Sequence, residues 1–252
     1  MKEKQFNINE EGCSVRCKAY LNDPRSAGRV VLFGHGFGGH KDNRAAERFA
    51  LKYLSKYKDA AVITFDWPCH GEDGRKRLSL EDCDQYIRLL LSYIEKQYAP
   101  KKIFGYATSF GGYLFLKYTH EHGLPFARMA LRCPAVCMYD ALTQGIMTQG
   151  DHELLEKGKP VLAGFDRKIR IDREFLEELH TADITKWDFT DWADDILILH
   201  GLKDEVIPIA EVEQFSEDNV IEMIVAEKAD HRYSDPQIMD KAIHDIIMFF
   251  EG

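Results

Sequence analysis

From position 29 onward, short apolar runs rich in β-branched residues alternate with stretches whose apolar positions recur at helical spacing. Arg29–Phe33 (RVVLF) predicts a buried strand, and Asn43–Tyr57 a helix with Ala46, Phe49, Ala50, Tyr53, Leu54 and Tyr57 on one face. Ala60–Asp66 (AAVITFD) is the next strand. Ser79, with Asp82 three residues on, forms a capping-box-like pair that opens a helix running to about Gln97. Lys101–Ala107 predicts a third strand, Phe110–His122 a helix closed by Gly123 and Pro125, and Arg128–Cys133 a fourth strand.

The alternation then breaks. Residues 136–192 lack a strong strand signal and contain at least one charged helix, Arg173–His180. Regularity returns with the strand Asp195–His200 (DILILH), a short helix near Ala210–Ser216 and the strand Val220–Ala226. Asp235 caps the last helix, Pro236 takes its first position, and Met239, Ala242, Ile243, Ile246 and Phe250 form its inner face. Ahead of all this, Gln5–Ile8 and Ser14–Leu21 read as an antiparallel pair at one edge.

Such alternation predicts an α/β fold: a mostly parallel β-sheet flanked by helices on both faces. The interruption is too long for an ordinary connection, so it reads as a helical cap or lid inserted over the sheet's active edge. The expected organisation is one domain, with a core of residues 1–135 and 193–252 and a cap of 136–192.

Composition narrows the partners. The 252 residues are 45% hydrophobic and 30% charged, which is globular rather than disordered. Lys+Arg 33 against Asp+Glu 42 gives a net charge of −9 with no basic block, which argues against nucleic acid and anionic membrane as partners. The apolar run Ile246–Phe250 falls far short of a membrane span. The polar, acidic start MKEKQFNINEEG does not resemble a signal peptide, so a soluble cytoplasmic protein is expected. In that compartment the six cysteines, at 13, 17, 69, 83, 133 and 137, read as free thiols. No CxxC spacing or matching histidine pair points to a metal.

Chemistry belongs at the carboxyl ends of parallel strands. Four junctions there have unusual sequence: GHGFGGH (34–40), GYATSFGG (105–112), HGLKDEVIP (200–208) and ADH (229–231). Ser109 stands directly between a strand and a helix, with Ala107 two before it and Gly111 two after. A nucleophile on such a sharp turn follows the pattern G-x-S-x-G, here with alanine in the first place. A bland alternative is that Ser109 only caps the helix.

A serine hydroxyl needs a base. Of ten histidines, His231 is best placed, after the last strand and before the capped final helix. His35 and His200 read as loop-shaping residues, and His120, His122, His152, His180 and His244 as solvated. The base needs a carboxylate behind it, and Asp204 follows the strand Asp195–His200; Glu205 and Asp230 are neighbouring alternatives. The chain order Ser…Asp…His is that of one fold family. Backbone N–H groups of Phe37 and Phe110 would serve a tetrahedral oxyanion.

Two other readings compete. Gly34, Gly36 and Gly39 satisfy G-x-G-x-x-G, and Asp66 ends the next strand where a dinucleotide fold places its ribose-binding acid. Against this, the helix starts only after Asp42, and the other three junctions stay unexplained. Cys69 beside His70 could suggest a thiol nucleophile, but a turn accounts for Trp67-Pro68-Cys69-His70-Gly71.

These motifs resemble the α/β-hydrolase family over about residues 29–251 outside the cap. HGFGG (35–39) resembles its oxyanion loop and DWPCHG (66–71) its D-x-x-G-H-G turn, with Cys69 in place of glycine. ATSFGG (107–112) resembles the nucleophile elbow, HGLKDEVIP (200–208) the acid loop and ADH (229–231) the histidine loop. The resemblance implies a triad of Ser109, His231 and Asp204, oxyanion donors from Phe37 and Phe110, and no cofactor. Within the family, the GFGGHKDN stretch is similar to cinnamoyl/feruloyl-type carboxylesterases and lysophospholipase-like hydrolases.

The expected function is that of a serine hydrolase cleaving a small-molecule carboxylic ester through an acyl-enzyme. A peptidase or amidase with the same triad, and a non-catalytic ligand-binding protein on the same fold, are the rivals. Phe165, Phe175, Trp187, Phe189 and Trp192 of the cap read as packing or as an acyl pocket. The charged face from Asp166 to Glu174 reads as solvated or as a homo-oligomer contact.

Overall fold

The computed structural model describes residues 1–23, 27–165 and 167–252. The N-terminal alternation becomes a hairpin in which β1 (Lys2–Glu10) pairs antiparallel with β2 (Cys13–Leu21). One face of β1 stays open to water, as a polar edge strand should. The central strands are almost wholly apolar and buried: β3 (Arg29–Gly34), β4 (Ala60–Phe65), β5 (Lys102–Thr108), β6 (Arg128–Arg132) and, after the interruption, β9 (Ile196–Gly201). Residues apolar on both faces must be covered on both faces.

Helices provide that cover. Asn43 caps α1 (Arg44–Lys56), its Oδ1 accepting from Ala45 N at 2.8 Å and Ala46 N at 3.2 Å. Ser79 Oγ accepts from Asp82 N at 3.2 Å to open α2 (Leu80–Tyr98); the returning half of the expected capping box is not among its bonds. α3 (Phe110–His122) ends on Gly123 at φ 84°. α7 (Ile209–Asp218) precedes β10 (Glu222–Ala226), and α8 (Pro236–Phe249) starts from an Asp235 cap. Val220, expected in the last strand, instead turns the chain at φ 57° and is 75% exposed.

The sheet order is β1-β2-β4-β3-β5-β6-β9-β10, parallel from β4 to β10. One apolar cluster packs α2 and α3 on one face, and a second packs α1 and α8 on the other. Phe250, just past α8, stacks on Phe104 of β5 at 4.7 Å between ring centroids. Burying a side chain of that size contributes roughly 1.5–3 kcal/mol.

Between β6 and β9 the chain adds short helices and a hairpin whose apolar side chains join the cluster under α2 and α3. A single turn, α4 (Met138–Asp140), runs into a π-helical segment at Ala141–Ile146, followed by α5 (Gln149–Glu156) and α6 (Arg173–Thr181). The segment is not strand-free: β7 (Val161–Ala163) and β8 (Ile169–Ile171) form a two-stranded antiparallel hairpin. Strands of three residues are too short to show a period. The charged face proposed from Asp166 onward begins on a residue outside those described. Among the described residues, no helix is long and apolar enough to cross a membrane, and all six cysteines are free.

Candidate active site

Four strand ends bring the singled-out junctions to one rim. Ser109 links β5 to α3 at φ 51° and ψ −118°, a region that side-chain-bearing residues avoid at a cost of roughly 1–3 kcal/mol. The surroundings hold it there: Ser109 N donates to Arg132 O at 3.1 Å, while Ser109 O accepts from Gly112 N at 2.9 Å and Ala135 N at 3.1 Å. The side chain makes no capping hydrogen bond, so the capping alternative fails. Ala107 is fully buried, consistent with the need for a small residue there.

The crowding that fixes this turn is measurable at Gly111. A Cβ there would lie 2.6 Å from Gly34 O and 2.7 Å from His35 O, both backbone atoms that cannot swing aside. Gly111→Ala is therefore expected to cost about 3 kcal/mol. Thermal denaturation should show Tm lower by ~9 °C; an unchanged Tm would mean the helix and the β3 loop are not in this contact.

The acid loop resolves the choice among three carboxylates. Asp204 Oδ1 accepts from Val206 N at 2.9 Å and Ile207 N at 2.8 Å, which turns Oδ2 toward His231 Nδ1 at 2.7 Å. Its side chain is fully shielded from water. Burial alone would raise this carboxyl; the His231 N–H and the Ile207 and Val206 amides outweigh that and hold it below the usual carboxylate range. Asp230 is occupied with Ser234 N at 2.8 Å, and Glu205 is exposed. With Nδ1–H donated to Asp204, Nε2 of His231 is the nitrogen left to act as a base.

Ser109 and His231 line the same cleft, of about 1500 Å³. Gly36 also faces it, so close to the serine that a Cβ there would stand 3.2 Å from Ser109 Cβ and 3.7 Å from Oγ. Phe37 follows directly. Phe110 N–H is the first of α3, where no intrahelical acceptor exists. Among the described residues neither amide is claimed by another hydrogen bond. The two rings brace each other edge to face at 5.7 Å, and His70 packs on both.

Asp66, the rival ribose ligand, is used elsewhere. Its Oδ1 accepts from Lys41 N at 2.6 Å and its Oδ2 from Glu72 N at 2.8 Å, tying the glycine loop to the turn after β4. Trp67 Nε1 donates to His35 O at 2.9 Å and strengthens that tie. The dinucleotide reading thus loses its acid. Cys69 sits in the turn at φ 65°, the conformation that favours glycine, and burial pushes its thiol up to about 12, far from a reactive thiolate.

Other expectations are refined. His152, read as solvated, is half-buried with Nε2 2.8 Å from Thr143 O. Of the aromatic residues in the inserted segment, Phe175 and Phe189 are buried in the core and Trp187 and Trp192 pack against it. Only Phe165, 52% exposed, lines the cleft, joined by Gly145, Ile146 and Arg167 of the same segment. Sequence reasoning passed over Arg132 and Tyr233, which also line it. The one available signal was a charge ending the otherwise apolar strand Met129-Ala130-Leu131-Arg132.

Two clusters among the described residues have metal-ligand spacing. In Cys133, His200 and Asp204, the carboxylate already serves His231 and two amides. In the other, Lys117 Nζ supplies the cation, 2.6 Å from both Asp84 and Glu121.

Comparison with known proteins follows the same lines. The model of the alpha/beta hydrolase family matches residues 30–243. Monoacylglycerol lipase abhd6-A of Xenopus laevis is 27% identical over 139 residues, 54% of this chain and 39% of that protein, so the chain matches well under half the length of this curated relative. Est1E of Butyrivibrio proteoclasticus, solved with ferulic acid bound, superposes with a TM-score of 0.75 at 18% identity, covering 98% of this chain and all of the other. A soluble variant of monoglyceride lipase from Saccharomyces cerevisiae, in complex with a substrate analog, gives 0.74 at 15% identity over 99% and 95% of the two chains. Alpha/beta hydrolase domain-containing protein 10 from mouse gives 0.71 at 16% over 100% and 99%.

Proposed function

Because the chain belongs to the alpha/beta hydrolase family, we propose that it is a serine hydrolase of carboxylic esters, working through Ser109, His231 and Asp204. The observation that carries this reading is the convergence at one cleft. A strained, uncommitted serine and a histidine held by a buried carboxylate at 2.7 Å open into the same space.

The steps follow from the groups present. His231 Nε2 takes the Ser109 proton as Oγ attacks the acyl carbon, and Asp204 stabilises the resulting imidazolium. Phe37 and Phe110 N–H groups receive the oxyanion; one such donor is typically worth ~3 kcal/mol in the transition state. His231 then protonates the departing alcohol, and a water activated by the same nitrogen hydrolyses the acyl-enzyme. Residues 136–192 act as the cap in this reading: Ile146 and Phe165 line the cleft and would give a substrate its apolar contacts. The names of Est1E's bound ferulic acid and of the two lipases support an ester as the bond cleaved. Free thiols and an acidic surface suit a cytoplasmic setting.

The test is a fluorophosphonate probe with peptide mapping, run beside paired aryl-ester and aminoacyl-amide substrates. Labelling at Ser109 with turnover of the ester is expected. Efficient cleavage of the amide with a silent ester would instead make it an amidase or peptidase, and an unlabelled Ser109 would make it a binding protein.

A further inference from the structure

Arg132 ends β6 inside the cleft wall, and its environment is unusual for a charge. It is 6% exposed, yet no carboxylate among the described residues pairs with it. Its Nη1 reaches only Met239 Sδ, a weak acceptor, at 3.1 Å, and its buried Nε has no acceptor. The guanidinium lies 5.3 Å from the ring centroid of Tyr233, a residue held at φ 53° two positions after His231. Tyr233 OH is buried without a partner, and so is Tyr106 OH, on the same face of neighbouring β5 two register positions back.

A guanidinium taken out of water needs compensation, and one aromatic face and one thioether supply little of it. Structural arginines in protein interiors are paired. Here the donors remain open beside the nucleophile: Thr108 is the register partner of Arg132, and Ser109 is the next residue. Arg132 and Ser109 line the same cleft, so a group bound at Arg132 and an acyl group at Ser109 can belong to one small molecule.

We propose that Arg132 is a specificity determinant that binds an anionic group, a carboxylate, on the substrate itself. The preferred ester carries a second, charged end a short spacer away from the scissile carbonyl, and Tyr233, which also lines the cleft, offers its OH as a further donor to that end. Arginine suits the task because its planar fork meets both carboxylate oxygens at once. The inference rests on the ester-hydrolase reading for its substrate, though not for the anion site.

The experiment compares ethyl pentanoate with two anionic esters of similar size. Ethyl hydrogen glutarate carries the carboxylate on the acid side, and the pentanoyl ester of glycolic acid carries it on the alcohol side. One of the two is expected to exceed ethyl pentanoate in kcat/KM by about 10-fold or more, chiefly through KM, and which one gains tells which side reaches Arg132. Arg132→Met should lower that ratio by about 10–100-fold, and Arg132→Lys, which keeps the charge but loses the fork, by less. Using the ratio removes any general damage to the elbow, whose amide donates to the Arg132 carbonyl. Glutarate alone should raise the Tm of the parent protein and leave that of Arg132→Met unmoved. A parent enzyme that favours the neutral ester, or a ratio that Arg132→Met and Arg132→Lys leave unaltered, overturns the proposal. Should no ester be turned over and Ser109 stay unlabelled, the hydrolase reading falls by itself. The glutarate shift still decides the anion site, and should Arg132→Met not fold, the Arg132→Lys variant and that shift decide it.

Discussion

Ser109→Ala is expected to lower kcat on any ester substrate by at least about 10⁴-fold while moving Tm by no more than ~2 °C. Both halves follow from one geometry. The hydroxyl holds no capping bond, so its removal costs the fold little, and alanine inherits the same strained φ of 51°. The residual rate would come from the oxyanion donors and the binding cleft alone. Ser109→Gly separates chemistry from strain: it should be equally inactive but more stable by about 1 kcal/mol, because glycine accepts a positive φ without the steric penalty. Steady-state kinetics and thermal melts on the same preparations read both. A Tm that collapses in Ser109→Ala would mark the serine as structural and undo the mechanism.

The second large effect is acid lability near pH 5. Three histidines are buried and kept neutral: burial lowers His35 well below its ordinary value, takes His70 down to about 4 and lowers His200 as well. In the unfolded chain each titrates near 6.5, so below that pH the unfolded state gains protons that the folded state refuses. Stability is then full above about pH 6.5 and is lost as the pH falls toward 4. For His70 alone the difference amounts to about 3 kcal/mol. Asp204, held below its usual range, adds a loss in the same direction at still lower pH. Asp66 and Asp84 work against the trend, because burial raises both carboxyls, Asp84 to about 6, and the folded state takes those protons more readily; the net loss is what His35, His70 and His200 together leave over them. Urea titrations at pH 7.5, 6 and 4.5 should show the midpoint falling steeply over the lower interval. His70→Asn, which can keep the bond to Pro68 O, should flatten part of that slope; an equal slope in the variant would remove His70 from the account.

Much of the fold was legible because period and burial agree. The strands β3, β4, β5 and β9 are short apolar runs between turn residues, and α3 begins where the small residues around Ser109 demand a turn. The pairing of His231 with a carboxylate was legible and the resemblance of the acid loop pointed to Asp204, but the residues by themselves left Glu205 and Asp230 open. Asp204, Glu205 and Asp230 differ only in what their backbone does next, and the amides of Val206 and Ile207 decide it. Asp66 misled for a related reason: an acid at a strand end looks like a ligand until the loops that bind it are in place. The β7–β8 hairpin left no periodic trace. Arg132 was overlooked because a charge closing a strand ordinarily points to solvent, and only the packing of Tyr233 and Met239 over it says otherwise.

The strand order has a consequence for the chain while it is being made. Ser109 belongs to the middle of the sheet, but Asp204 follows β9 and His231 follows β10, the outermost strand on that side. On the proposed mechanism a ribosome delivers the nucleophile long before its base, so a nascent polypeptide stalled short of position 231 would present a serine of ordinary reactivity. In that scheme the base is added only once the chain has passed β10, and a half-made chain holds the serine without it.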